Sequence, residues 1–598
     1  MLELFRWGYA EARKLTVVLL TLVVLDSLAM VALTVLVGQV VGAADGLSNG
    51  GPVGRFVGLI AALAVVFLID TTVPVLRAAC MTRLETHMAR VAVTQIADPL
   101  LAPRRAGHID DPKVQDAFGR CTTEIQIPID VGPTVASFQL ASRLTLVGSL
   151  VVLTVVFHWW VAVAMLAGTV FLEWWWRRYI EAEIEVWHGR TEQQRHATYL
   201  FDLTVLHAAK EIRIFGLNRW LFRAQQRWMA DALRPIARRR ARNGSANLVA
   251  SLLPVAITGG GIALAGLEAW RGQLSITAFA TAVPALLAAA SGFAAGSSAQ
   301  VRRARHALRE MRNLPALIEQ RHPEPAGHSA DLSRAPQQEI RFESVSFRYP
   351  GADRDVLSRL DLTIGAHEAL AIVGVNGAGK STLVKLLAGV YAPTGGRILV
   401  DGVDLAAIDG DSLASWQRRI ATIVQDFLQL PLSARDNVSF GAVANATEDD
   451  AFIDTAVARA GARDVIDRLP AGWDTRLDKS YDGGVDLSGG EWQRIALARA
   501  LRAVDAGASV LVLDEPAAAL DVRSEAALVD RYLELTAGIA SVIISHRFSV
   551  VRDADRICVL GDGRILESGR HQDLIASGGH YATMFALQAS RYIEVDQP

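Results

Sequence analysis

The sequence predicts two folds in series: an all-α domain of six membrane-crossing helices, then an α/β domain with a helical subdomain. Three observations carry that prediction. Six apolar runs of spanning length occupy the first half, the composition breaks after Val301, and from Glu339 short β-rich runs alternate with helical stretches. At 598 residues the chain exceeds one core, and 51% hydrophobic with 20% charged residues is the blend of a chain partly in lipid and partly in water. A net charge of -2 gives no case for nucleic acid as a partner. Cys80, Cys121 and Cys558 are too few and scattered for a disulfide framework or a zinc site and read as packing thiols.

The predicted spans are Leu15–Val41, Arg55–Cys80, Pro133–Phe157, Trp159–Trp176, Ala246–Leu267 and Ile276–Gly296. The first follows Arg6, Arg13 and Lys14 but is longer than a signal-peptide core, so a retained helix is expected. No peptidase-like stretch precedes it, so coupled leader cleavage is not expected. The segments after the second and fourth spans are long and basic: Arg83, Arg90, Arg104, Arg105 and Lys113 in one, Arg177 to Arg242 in the other. Positive charge favours the cytoplasmic side, which places both termini and both long loops inside, and Trp174–Trp176 fit an inner aromatic belt. Three charges fall within spans: Asp26 and Arg143 at similar depths, roughly 15 Å from the inner edge, and Asp70 nearer the inside. The matching depths predict an Asp26–Arg143 ion pair, with Asp26 as a substrate ligand the other reading, and leave Asp70 as a cavity charge.

The domain boundaries expected are 1–310 for the membrane domain, 311–338 for a Pro- and Ser-bearing linker, 339–590 for the nucleotide-binding domain and 591–598 for a tail. Within the third, strand-like ALAIV leads into GVNGAGKS and then helix-like TLVKLLAG, the order a phosphate-binding loop requires. Gly374, Gly377 and Gly379 permit a tight curl whose amides, with those of Asn376, Ala378 and Thr382, face phosphate oxygens at a helix start. Lys380 supplies a point charge to the β and γ oxygens, and Ser381 a ligand for Mg2+. SVLVLDE ends in two carboxylates, which divides the work: Asp514 for the magnesium shell, Glu515 to polarise the attacking water. SVIISH ends at His546, in reach of the γ-phosphate.

LSGGEWQRIALARAL (Leu487–Leu501) resembles the signature motif of ATP-binding cassette (ABC) proteins, and the rest of that family's set surrounds it in order. The resemblance covers about Glu339 to Gln588 and reaches the membrane half through DDPKVQDAFGRC and KEIRIFG, which are similar to the two coupling regions of the exporter group. It implies that Tyr349 stacks on adenine, that Gln425 serves as the Q-loop glutamine and a magnesium ligand, and that Ala518–Asp521 form the D-loop. It implies that Ser488, Gly489 and Gly490 close the ATP site of a second cassette, with His546 as the switch histidine. Two positions depart from the family pattern: Ala517 and Ala518 replace hydroxyl residues, and Asp482 stands where the exporter group usually has Glu. The resemblance implies a half-transporter in a bacterial inner membrane that binds ATP and Mg2+, hydrolyses ATP and exports an amphiphilic small molecule, lipid or peptide. A homodimer suffices, because one chain holds every motif, and a heterodimer is the other arrangement. Alternatives are an importer on the exporter fold, of siderophore type, and an ABC ATPase that gates or regulates a membrane partner. The motifs encode neither substrate nor direction.

Overall fold

The computed structural model describes residues 1–48, 50–125, 132–188, 199–200, 209–293, 295–324, 327–445, 450–515, 538–545 and 547–593. They form two compact units, Met1–Pro99 with Lys113–Leu317, and Leu100–Pro112 with Ile318–Pro598.

The first unit is helical: α1 (Leu2–Glu11), α2 (Arg13–Ser48), α3 (Val53–Leu101), α4 (Pro112–Ile125), α5 (Pro133–Val156), α6 (Trp159–His188), α7 (Ala209–Ile214), α8 (Asn218–Arg242), α9 (Gly244–Trp270), α10 (Ile276–Ala290) and α11 (Ala295–Arg321). The first five predicted spans each fall on a single helix. Among the described residues, α2, α3, α5 and α9 are long and apolar enough to cross a membrane by length and composition. The helix α6 is not in that set: Trp159, Trp160, Trp174–Trp176 and Glu173 dilute its apolar run. With 49 residues, α3 extends roughly 73 Å, well beyond a bilayer core of about 30 Å, so its polar second half continues outside the apolar zone. The sixth predicted span is broken. Helix α10 stops at Ala290, a 3-10 turn occupies Ser291–Phe293, and α11 starts at Ala295. A Ser-Gly pair is a common break point, and a side chain at Gly292 would come within 2.8 Å of Leu146. The linker expected from residue 311 is helical to Arg321, because Leu308, Met311, Leu314 and Ile318 form a buried stripe at helical spacing.

Small residues bring these helices together. A Cβ on Gly38 or Gly42 of α2 would sit 1.8 or 1.9 Å from the hydroxyl of Thr281 or Thr277 on α10. Such close backbone approach is how helices associate where lipid offers no hydrophobic driving force. Leu146, Leu153, Met165, Ala282, Ala285 and Leu286 fill the core shared by α5, α6 and α10.

The intramembrane charges pair differently from the expectation. Asp26 pairs with Arg77 of α3, and Arg143 donates to Glu173 Oε1 of α6 at 2.7 Å. The Asp26–Arg143 pair does not form. Equal depth puts two residues at one level, but helix rotation decides which face each presents. The next residue, Ser27, faces α5 and donates to Ala141 O at 3.3 Å, which turns Asp26 away from α5 and toward α3.

The second unit holds two sheets. An antiparallel one has the order β2 (Leu357–Gly365), β1 (Glu339–Phe347), β4 (Gly395–Val400), β5 (Val403–Asp404). The other runs β10 (Arg564–Gly569), β9 (Arg556–Gly561), β3 (Ala369–Val373), β8 (Ala540–Ile544), β7 (Val510–Asp514), β6 (Ile420–Ile423), parallel except for β9–β10. Strands buried on both faces read as continuous apolar runs, as VLVLD and ASVII do. Their alternate residues enter different cores. Val510 and Val512 pack with Leu383 and Leu387 of helix α12 (Lys380–Leu387), whereas Leu511 and Leu513 pack with Ile495 and Leu497 of helix α13 (Gly489–Asp505). The helix of the phosphate loop and the helix of the signature therefore lie on opposite faces of one sheet.

Candidate functional site

The site begins with strand register. Ile372 of β3 pairs with Ile544 of β8, which pairs with Asp514 of β7, so three strand ends reach one edge together. Parallel α/β sheets bind ligands at that carboxyl edge. Gly377 and Gly379 take φ of +82° and +103°, a region side chains avoid, and a Cβ on Gly379 would lie 2.7 Å from Leu357. The curl delivers the chain into α12 with Gly379 as its N-cap. The amides of Asn376, Gly377 and Ala378 belong to this curl, and Thr382 is buried one turn into the helix.

Lys380 folds back over the loop and donates to the carbonyls of Gly374 at 2.9 Å and Val375 at 3.1 Å. Burial pushes its ammonium pKa down, with Glu515 and Asp514 opposing. Ser381 donates to Asp514 Oδ2 at 2.6 Å, closing the gap between the loop and β7. Burial raises the Asp514 carboxyl; Ser381 and Lys380 counter this, while Glu515 adds to it. Glu515 follows with φ of +53°, an uncommon conformation for a non-glycine residue, and its N–H donates to Ile544 O at 2.8 Å. Ser381 and Asp514 present hard oxygen donors at one point, which fits the demands of Mg2+.

The other expected residues are distributed around this core. Tyr349 lies against Phe347 and Tyr391, its hydroxyl 3.1 Å from Thr382 Oγ1 and its ring 5.3 Å from the Lys385 ammonium. Gln425 is exposed on the loop after β6; among the described residues it makes no side-chain hydrogen bond to Ser381 or Asp514. Ser488 is the N-cap of α13, with Gly489 and Gly490 opening the helix. His546 and Asp521 lie outside the described residues, as do Ala517 and Ala518.

Two features were not anticipated. The SGGE run satisfies the Ser-x-x-Glu capping box: Ser488 Oγ accepts from the Glu491 N–H at 3.4 Å and the Ser488 N–H donates to Glu491 Oε2 at 2.9 Å, with the Ser488 hydroxyl also donating to Glu491 Oε2 at 2.8 Å. The pattern was readable in the sequence, but the signature resemblance absorbed it. The second is Leu100–Pro112, which belongs to the second unit although its sequence neighbours belong to the first. Ala106 N–H donates to Val390 O and Arg105 to Leu405 O, both at 2.8 Å, while Asp110 accepts from the Tyr391 hydroxyl. Buried Asp111 accepts from Arg321 at 2.6 Å and from His322 at 3.0 Å. No local signal in the sequence connects residue 110 with residue 391.

The ABC transporter family profile matches residues 357–518. Curated proteins similar to this chain include the ATP-dependent lipid A-core flippases of Methylobacillus flagellatus (39% identical over 44% of this chain and 43% of theirs) and Ralstonia nicotianae (40% identical over 44% and 43%). The chain thus matches less than half the length of these relatives. A solved bacterial Atm1-family ABC exporter with ATP bound superposes with a TM-score of 0.72 at 25% identity, over 97% of this chain and 99% of that one. Residues 357–518 therefore match the ABC transporter family, and the chain as a whole has the fold of that exporter. In this chain a helical unit and an α/β unit share one polypeptide, and residues 357–518 carry the phosphate loop, the signature and the paired carboxylates.

Proposed function

We propose that this chain is a half-transporter that works as a dimer and couples ATP hydrolysis to export of an amphiphilic molecule, with its cassette and both termini on the cytoplasmic side of a bacterial inner membrane. The observation that carries the reading is the meeting of Lys380, Ser381 and Asp514 at one sheet edge, in a chain that also holds the signature serine. The loop amides and Lys380 bind the phosphates, for which Lys380 exchanges its loop carbonyls. Ser381 and Asp514, with Gln425, hold Mg2+, which offsets phosphate charge when bound. Glu515 orients the attacking water and His546 contacts the γ-phosphate. Tyr349 meets the adenine. Ser488, Gly489 and Gly490 complete the site on a second cassette. ATP does work on the membrane domain only because it binds the closed pair of cassettes more tightly than the open pair. The names of the flippase relatives support an amphiphile as cargo.

The test is purification and reconstitution of the full chain. The expected result is a homodimer whose ATPase activity is abolished by chelating magnesium and stimulated by an amphiphile. Protein inactive until a different half-transporter is added would replace the homodimer with a heterodimer. Activity with no movement of any amphiphile across the bilayer would favour a gating role.

A further inference from the structure

The signature holds an anion that the proposed chemistry does not use. The Ser488 hydroxyl has one proton to give, and it goes to Glu491 Oε2 at 2.8 Å, the same oxygen that accepts the Ser488 backbone N–H. Closing a second cassette's ATP site requires that hydroxyl to turn toward a γ-phosphate. A phosphate oxygen at ordinary hydrogen-bond length from Ser488 Oγ would then lie within roughly 5.5 Å of the carboxylate. Two anions at that separation repel unless a cation intervenes.

A cation is in place. Arg468 Nη2 lies 2.9 Å from Glu491 Oε1, on the oxygen that Ser488 does not use. The guanidinium is not loose: Asp464 receives its Nη2 at 3.1 Å through the side chain and its Nε at 2.9 Å through the backbone carbonyl. Asp464 also receives Arg494 at 3.0 Å, which keeps a second cation near the cap. Ser488, through its backbone and then its hydroxyl, holds the Glu491 carboxyl below the usual range; burial opposes this, and Arg468 and Arg494 add to it. The carboxylate therefore stays charged at neutral pH.

We infer that Arg468 is a positioning residue for ATP at the dimer interface: it neutralises Glu491, so that the Ser488 hydroxyl can leave the carboxylate and donate to the γ-phosphate held by the other cassette. The inference rests on the proposed dimeric ATPase and adds to it a residue outside the motif. Arg468 touches neither nucleotide nor reacting atoms, so its effect falls on the affinity of the closed pair for ATP, and it is needed only because residue 491 is an acid.

That dependence supplies the test. Steady-state ATPase kinetics are measured on reconstituted full-length protein as wild type, Arg468→Gln, Glu491→Gln and the double variant. Arg468→Gln is expected to raise KM for ATP roughly fivefold with kcat changed less than about twofold, a size set by an exposed charge pair. The double variant should return to the KM of Glu491→Gln, because without the acid there is nothing to neutralise. A double variant as impaired as Arg468→Gln would assign Arg468 to helix packing and overturn the inference. So would an unchanged KM in Arg468→Gln beside an active wild type, with the dimeric ATPase reading left standing. A wild type with no ATPase activity removes that reading and this inference together.

Discussion

The two halves of this chain treat apolar surface in opposite ways. In the membrane domain large side chains such as Val75 and Val155 are 68% and 79% exposed, while in the nucleotide-binding domain Val510, Leu511 and Val512 are fully buried. Lipid solvates the first set; the second must find protein. Polar groups divide along the same line. In the cassette they sit at strand ends and helix starts, where backbone geometry fixes their positions. In the membrane domain they project from continuous helices, and their partners depend on how each helix is rotated. The difference teaches that a polar group placed by the backbone can be read locally, whereas one placed by helix packing cannot.

The largest effect that would break this comparison lies in the cassette. Glu515→Gln is expected to lower ATP turnover by roughly two to four orders of magnitude, the range for loss of a positioned acid–base group. ATP binding should survive, since Lys380, Ser381 and Asp514 remain. Equilibrium nucleotide binding beside single-turnover hydrolysis checks it; near-wild-type turnover would remove the chemical role from this strand end.

The membrane half has the next largest. Asp26 and Arg77 are each only 17% exposed, so Asp26→Ala leaves a largely buried charge unpaired, a loss of about 3–5 kcal/mol. Arg143→Ala breaks a pair exposed by 51% and 42%, where Glu173 keeps room to turn toward other polar groups, and is expected to cost less. Thermal stability of the two variants in one detergent sets them side by side. The exchange Asp26→Arg with Arg77→Asp should recover much of the loss, whereas exchanging Asp26 with Arg143 should not. Equal damage from Asp26→Ala and Arg143→Ala would mean that exposure does not separate the two pairs.

The smallest concerns a pair that ties the residue before β3 to the start of β9. Burial pushes the Glu368 carboxyl up, but Arg556, bonded at 2.6 and 3.0 Å, and the Gly365 N–H, at 2.8 Å, more than offset it, so its pKa is lowered. A carboxyl lowered on folding stabilises above its unfolded pKa, near 4.3, and loses that contribution as pH falls through the folded value. Glu368→Gln is therefore expected to destabilise the protein by about 1–3 kcal/mol at pH 7 and by less below pH 4. Melting curves at the two pH values decide; a penalty that grows in acid would reverse the sign of the linkage.

Local pattern and burial alone account for much of this protein. The six helical segments, the α/β domain, the phosphate loop, the carboxylates at 514 and 515 and the signature were legible because each is defined by neighbours in sequence: a glycine curl between strand and helix, an apolar strand ending in acid, a serine opening a helix. Tertiary structure decided the rest. It turned Asp26 to Arg77 rather than Arg143, broke the sixth span at Ser291–Phe293, carried α11 through the expected linker to Arg321, and joined Asp110 to Tyr391 across 281 positions of sequence. It also set Arg468, at the end of one short helix, against Glu491 in the first turn of another, with no motif shared between them. Periodicity and capping act over a few residues, so sequence carries them directly. The facing of two helices and the partner of a charge are settled only when the whole core packs, because rotating one helix by a single residue moves a side chain by about 100° and exchanges one neighbour for another.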